Sequence, residues 1–97
     1  MAYVVVTHWE TTSDDADAEA GWKRVQEQNI PALKALGAHS AMGVELSDTK
    51  AMMISVFPDK ATFEAAHAKI QKLRQKTGAE LNTKMTGEYK GELKAAG

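Results

Sequence analysis

The chain of 97 residues contains no cysteine. This absence excludes disulfide bonds, thiolate metal sites and cysteine nucleophiles. Acidic and basic residues nearly balance, at 13 and 12, so bulk charge indicates neither a nucleic-acid nor a membrane partner. No apolar run approaches the roughly 20 residues that a membrane-spanning helix needs, and the N-terminus lacks the features of a signal peptide. Together these absences favour a cytoplasmic protein.

The length corresponds to a single domain over residues 1–97. β-Branched and aromatic residues predict a first, buried strand over Tyr3–Trp9. Capping residues, followed by apolar residues at three- and four-residue spacing, predict a helix from about Asp14 to Leu36. Pro31 lies inside this helix, where it should kink the helix or break its hydrogen-bond ladder.

The second half of the chain predicts two strands, a helix and a last strand. The two strands, Ala38–Leu46 and Ala51–Phe57, form a hairpin around the turn residues Ser47–Lys50. The helix begins at Pro58–Asp59 and ends at Gly78, and the last strand covers about Leu81–Leu93. The order βαββαβ predicts a ferredoxin-like α+β fold, in which two helices cover one face of a four-stranded antiparallel sheet.

The first predicted strand is apolar on both of its faces. Val4 and Val6 lie on one face, and Tyr3 and Val5 on the other, because successive side chains of a strand alternate. A sheet that is apolar on both faces must be covered on both, and one chain supplies helices for only one. We therefore expect a homodimer that forms through sheet faces with two-fold symmetry.

Two segments resemble the dimeric α+β barrel superfamily, and within it the antibiotic-biosynthesis-monooxygenase-like (ABM-like) proteins. IPALKALGAHSAMGVEL resembles the passage from helix one to strand two, and SVFPDKATFEAAH that from strand three to helix two. The resemblance implies that two sheets pair into a barrel, with a pocket between helices and sheet in each subunit. It also implies a cofactor-independent oxygenase or a related enzyme that acts on a small hydrophobic or aromatic substrate.

The family's catalytic residues do not carry over to this chain residue by residue. Phe57 stands where the family often has tryptophan, and the histidine that is frequent in helix two falls on Ala66, next to His67. FEAAH resembles the segment with the axial histidine of haem-degrading relatives, but the first strand lacks the asparagine that this branch uses. A haem-binding or haem-degrading relative is therefore only a third interpretation.

Histidines are the candidate proton-transfer residues, because imidazole titrates near neutral pH. His8 shares a strand face with Val4 and Val6, whereas Trp9 lies on the opposite face, so these two side chains cannot form one site within a subunit. His67 lies beside the apolar stripe of the second helix. We predict that His8 and His67 are catalytic and that a small hydrophobic ligand contacts four further residues: Trp9, Trp22, Phe57 and Met85.

The sequence leaves a non-catalytic interpretation open. In that alternative the protein is a homodimer that binds a small molecule or a protein partner, and every histidine is structural. The three histidines show no spacing typical of a metal site, so no metal is predicted. An enzyme of the kind that the resemblance implies would need no tightly bound cofactor.

Overall fold

The computed structural model describes residues 1–12 and 17–97. Its sheet has the strand order β2-β3-β1-β4, and each neighbouring pair is antiparallel. The first helical segment, residues 18–35, joins three pieces end to end. This architecture agrees with the predicted βαββαβ order, and its elements are β1 (Tyr3–Thr11), α1 (Ala18–Arg24), a π-helical turn (Val25–Asn29), α2 (Ile30–Ala35), β2 (Ser40–Glu45), β3 (Lys50–Phe57), α3 (Lys60–Leu81) and β4 (Thr83–Glu92).

The core lies between the helices and one face of the sheet. Alternate residues of β1, namely Tyr3, Val5 and Thr7, are buried on this helix-facing side. Phe57 at the end of β3 and Ile70 in α3 meet them, with 1% and 2% of their surface exposed. The remaining apolar members of this core are Ala38, Phe63 and Ala66, with Leu33 and Leu36 packed against them.

The opposite side of the sheet, called the open face here, has no helix over it among the described residues. The register aligns its side chains in rows across the strands, with Val6 between Ile54 of β3 and Tyr89 of β4. Tyr89 is 65% exposed. The open face includes Val4, Val6, His8, Met42, Val44, Met52, Ile54, Val56 and Tyr89, together with Glu10, Ser40, Gly87 and Gly91. A largely apolar face of this extent is unusual for a sheet that contacts only water.

The first helical segment accommodates Pro31 through a π-helical turn. The Ile30 N–H bonds to the Val25 carbonyl, five residues earlier, and α-helical geometry then resumes. Pro31 falls in the first turn of α2, where a missing N–H costs little. The interruption of the ladder agrees with the prediction, and the wider turn buries Val25 and Asn29. The predicted start near Asp14 lies outside the described residues.

The longest helix, α3, runs beyond its predicted end. It continues through Gly78 to Leu81 and closes at Asn82, which has a φ of 54° in the left-handed region. The prediction that Gly78 ends the helix is wrong, because Asn82 supplies the left-handed cap instead. Gly78 allows close packing, since a Cβ there would lie 2.9 Å from the Thr83 carbonyl oxygen.

Across the described ranges, no helix has the length and apolarity needed to cross a membrane.

Asp59 fixes the start of α3. Its carboxylate accepts hydrogen bonds from the Thr62 backbone N–H and from the Thr62 hydroxyl, each at 2.7 Å. The backbone bond first, and the hydroxyl bond second, hold the pKa of Asp59 below its ordinary value. A carboxyl with a lower pKa in the folded state stabilises the fold above its unfolded-state pKa. That contribution disappears as the pH falls through the folded-state pKa.

We expect Asp59→Ala to lower the melting temperature at about pH 7, because the helix loses its cap. Asp59→Asn should retain most of the melting temperature, since asparagine caps a helix about as well as aspartate. Thermal unfolding followed by circular dichroism checks both variants as the pH is lowered. The difference in melting temperature between the wild-type protein and Asp59→Asn should vanish in acid. A difference that does not change with pH would contradict this account.

Candidate ligand cavity

A cavity of about 150 Å³ lies between the helices and the helix-facing side of the sheet. Strands β1 and β3 form one wall, and the first helical segment and α3 form the other. The inner part of the lining includes Thr7, Ser55, Phe57, Val25, Phe63 and Ile70. An apolar cavity of this volume is large enough to accept a benzene ring. The protein therefore contains a partly open site whose volume suits a small, flat molecule.

The mouth of the cavity lies where its lining residues become exposed, around Trp22 of α1 and Glu45 of β2. The Trp22 indole N–H donates a hydrogen bond to the Glu45 carboxylate at 3.1 Å. The indole ring packs directly on Gly43, where a Cβ would collide with it. Trp22 is thus held against β2 by one hydrogen bond and by close contact with a residue that has no side chain.

Three buried polar side chains belong to the lining of this largely apolar cavity. Thr7, Ser55 and Asn29 line it and are only 5%, 7% and 9% exposed. The Trp9 indole N–H donates to the Thr7 hydroxyl at 2.8 Å. The Asn29 side-chain amide donates to the Thr77 hydroxyl, also at 2.8 Å. Buried polar groups of this kind fix the orientation of a ligand in an otherwise apolar pocket.

Ion pairs hold the helices over the cavity. Arg74 of α3 lines the cavity and pairs with Glu88 of β4 at 2.8 Å, and both side chains are at least four-fifths buried. Arg24 of α1 pairs with Glu80 of α3 and so links the two helices. These contacts fasten α3 to the sheet on one side and to the first helical segment on the other.

The two histidines that the sequence predicted as catalytic lie outside the cavity lining. His8 belongs to the open face, where its ring meets Tyr89 edge to face with 5.7 Å between centroids. His67 is half-buried on α3, and its ring lies 5.7 Å from that of Phe63. His8 and His67 are therefore on different sides of the sheet and do not share a cavity. Their catalytic role stays a prediction.

Three of the four predicted ligand-binding residues line the cavity: Trp9, Trp22 and Phe57. Met85 does not, although the shift in register between β1 and β4 at His8 and Trp9 brings it to the helix-facing side. The shift places Met85 opposite Trp9, beside a shallower depression between β4 and α3. Whether any of these four side chains binds a ligand stays a prediction.

Three buried residues of the cavity lining, Thr7, Ser55 and Asn29, were not predicted from the sequence as site residues. A signal for them was present, since each interrupts an apolar pattern at a position that the periodicity assigns to the core. Thr7 follows Tyr3 and Val5 on one strand face, and Asn29 lies on the apolar stripe of the first helix. A polar residue at a core position is the informative exception in such a pattern.

The residues present do not fit haem. His67, the axial ligand that the resemblance offers, does not line the cavity, and the cavity volume corresponds to a single small ring rather than a macrocycle. Within the described part of the chain, no three metal-binding side chains lie close enough together to hold a metal ion.

Comparison of the whole chain with known proteins gives structural matches only. No family model and no curated protein matches the sequence. Protein YJCS superposes with a TM-score of 0.72 at 14% identity, covering 97% of this chain and 100% of its own. HapK from Hahella chejuensis has a TM-score of 0.69 at 15% identity, covering 100% and 96%.

A third similar structure is described as a dimeric ferredoxin-like protein from an uncultured marine organism. It has a TM-score of 0.56 at 15% identity and covers 93% of this chain and 84% of its own. This chain has the ferredoxin-like fold. Within this fold, the cavity of the chain lies between the helices and the sheet, and the open face is the side of the sheet away from the helices.

Proposed function

We propose that the protein is a homodimer of the ABM-like group that binds a small hydrophobic or aromatic molecule in its cavity. The observation that carries the proposal is the 150 Å³ cavity between helices and sheet. The resemblance noted in the sequence implies a pocket at the same place in ABM-like proteins. The ferredoxin-like fold of the similar structures is compatible with that group.

Neither histidine that the sequence predicted as catalytic lines the cavity, which favours binding over catalysis through these two residues. A cofactor-independent oxygenase that used His8 or His67 for proton transfer would need its substrate outside this cavity, since a general base must lie within hydrogen-bond reach of the proton it takes. The apolar walls supply orientation and exclusion of water, which a binding protein needs as much as an enzyme does.

The proposed partner is a second copy of the chain, joined through the open face. Most side chains of this face are apolar, yet within one chain they are only half-buried or are exposed. Contact between two open faces would cover both apolar surfaces with one symmetric interface. The similar structure described as dimeric supports a dimer.

Ligand binding is testable with toluene as an apolar probe of one ring. We expect toluene to shift the amide NMR signals of cavity residues, and Gly21→Leu to weaken its binding at least about tenfold. Gly21 lines the cavity, and the space where its Cβ would lie is open, so a leucine there would extend toward the site of the probe. Far-UV circular dichroism checks that the variant folds.

Ala20→Leu is the matched control, because it adds the same side chain to the exposed side of the same helix. It should leave toluene affinity unchanged. Absence of any toluene-dependent shift in the wild-type protein would contradict the proposed function. Equal loss of affinity in both leucine variants would mean that the effect does not come from filling the cavity.

A further inference from the structure

We propose that the cavity selects a ligand with one aromatic ring and a hydrogen-bonding oxygen at its buried end. The inference rests on the proposed function, because it concerns the ligand of the same cavity. It is supported by three residues of the cavity lining, Thr7, Ser55 and Asn29, each more than nine-tenths buried. These three side chains together are called the polar end of the cavity.

The size of the cavity limits the ligand to one ring. A volume of about 150 Å³ matches a site that accepts benzene. Phe57, Phe63 and Ile70 bound the inner part and are at most 2% exposed, so enlargement there would require the packed core to move. A second fused ring would have to extend past Trp22 at the mouth. The volume of the site therefore suits a single ring.

The sheet contributes hydrogen-bond donors to the polar end. A hydroxyl has one hydrogen to donate and two lone pairs. The Trp9 indole N–H binds one lone pair of the Thr7 hydroxyl. This hydroxyl donates no hydrogen bond to any residue of 1–12 and 17–97. Ser55 forms no side-chain hydrogen bond to any described residue. Both hydroxyl hydrogens are therefore available to an oxygen of the ligand.

The two hydroxyls belong to neighbouring strands and can act on one ligand group. Thr7 pairs with Met53, and Ser55 lies two residues further along the same strand. Diagonal neighbours of this kind have Cβ atoms less than about 8 Å apart on the same sheet face. A single oxygen between the two side chains is thus within reach of both hydroxyls.

The first helical segment contributes a hydrogen-bond acceptor. The bond from the Asn29 amide nitrogen to Thr77 fixes the orientation of the amide, and the Asn29 carbonyl oxygen accepts no hydrogen bond from a described residue. A phenol-type hydroxyl both accepts from a donor and donates to an acceptor, so it can satisfy both kinds of group. A purely apolar ring leaves them unpaired and buried, which is unfavourable.

Phenol and toluene test the inference, because they have nearly the same size and differ by a hydroxyl in place of a methyl group. Calorimetric titration should give at least about tenfold tighter binding of phenol to the wild-type protein. Thr7→Val and Ser55→Ala should each reduce this preference several-fold. Thr86→Val, at an exposed position of β4 away from the cavity, should leave it unchanged.

The outcomes separate this inference from the proposed function. If the wild-type protein binds toluene as tightly as phenol, or if both variants keep the full preference, the polar end does not select the ligand and only the inference fails. Binding of neither probe would overturn both proposals. Tighter binding of 2-naphthol than of phenol would overturn the limit to one ring. If Thr7→Val does not fold, the smaller change Ser55→Ala decides.

Discussion

Replacing Phe63 with alanine should destabilise the domain by about 3–5 kcal/mol, the range for large aromatic deletions in cores. Phe63 is 2% exposed and lies at the centre of an aromatic cluster. Its ring centroid is 5.6 Å from that of Tyr3 and 5.3 Å from that of Phe57. Because small domains have unfolding free energies of about 5–15 kcal/mol, this loss would remove a large share of the total stability.

The loss is measured by urea unfolding, with the slope of free energy against urea compared between variants. Protein concentration must be held constant, since a dimer gains stability with concentration. Phe63→Leu is the control, because it retains most of the buried volume and should cost much less than the alanine variant. A loss below about 1 kcal/mol for Phe63→Ala would mean that the neighbouring side chains close the space, contrary to the rigid core inferred here.

The element order was predictable because the strands and helices have recognisable sequence patterns. The β-branched and aromatic run of β1, the turn residues between β2 and β3, and the three-to-four spacing of apolar residues along the two helices gave the element order correctly. The errors concern ends and interruptions. Gly78 was expected to end α3 because glycine often follows a helix. What sequence spacing could not show is that Asn82 adopts the left-handed conformation and that Gly78 lies against Thr83.

The cavity was harder to predict, because it is space left between side chains from several elements. Alternation predicted correctly that His8 and Trp9 point to opposite faces, and the structure adds that Trp9 is on the helix-facing side. Both faces of β1 are apolar, so composition alone did not determine which of them the helices cover. The shift in register that separates Met85 from the open face depends on pairing between distant strands.

Buried polar residues proved more informative about the cavity than the histidines. Histidine is a frequent catalytic residue, but His8 and His67 are half-buried and lie outside the cavity lining. Thr7 and Ser55 look unremarkable in sequence, since threonine and serine are common in strands. Their significance depends on burial without full hydrogen bonding, which only the folded arrangement shows.

Replacing Ile54 with aspartate should convert the proposed homodimer into monomers. Ile54 lies in the middle of the open face, opposite Val6 of β1 and Met42 of β2. A symmetric interface receives the substitution twice, and an unpaired buried carboxylate costs several kcal/mol. Since each 1.4 kcal/mol changes affinity tenfold, we expect the dissociation constant to rise by roughly a thousandfold or more.

Sedimentation at micromolar concentration checks this expectation. The wild-type protein should sediment at twice the 10.5 kDa mass of one chain, and Ile54→Asp at that mass. The variant should still fold, because its side chain points away from the core. Ala65→Asp adds the same charge to an exposed position of α3 and should remain dimeric. A monomeric wild-type protein would contradict the dimer, and a variant that remains dimeric would place the interface elsewhere.

The toluene titration can be repeated on monomeric Ile54→Asp. Because the cavity lies on the helix-facing side of the sheet and Ile54 on the opposite side, we expect binding to persist without the partner.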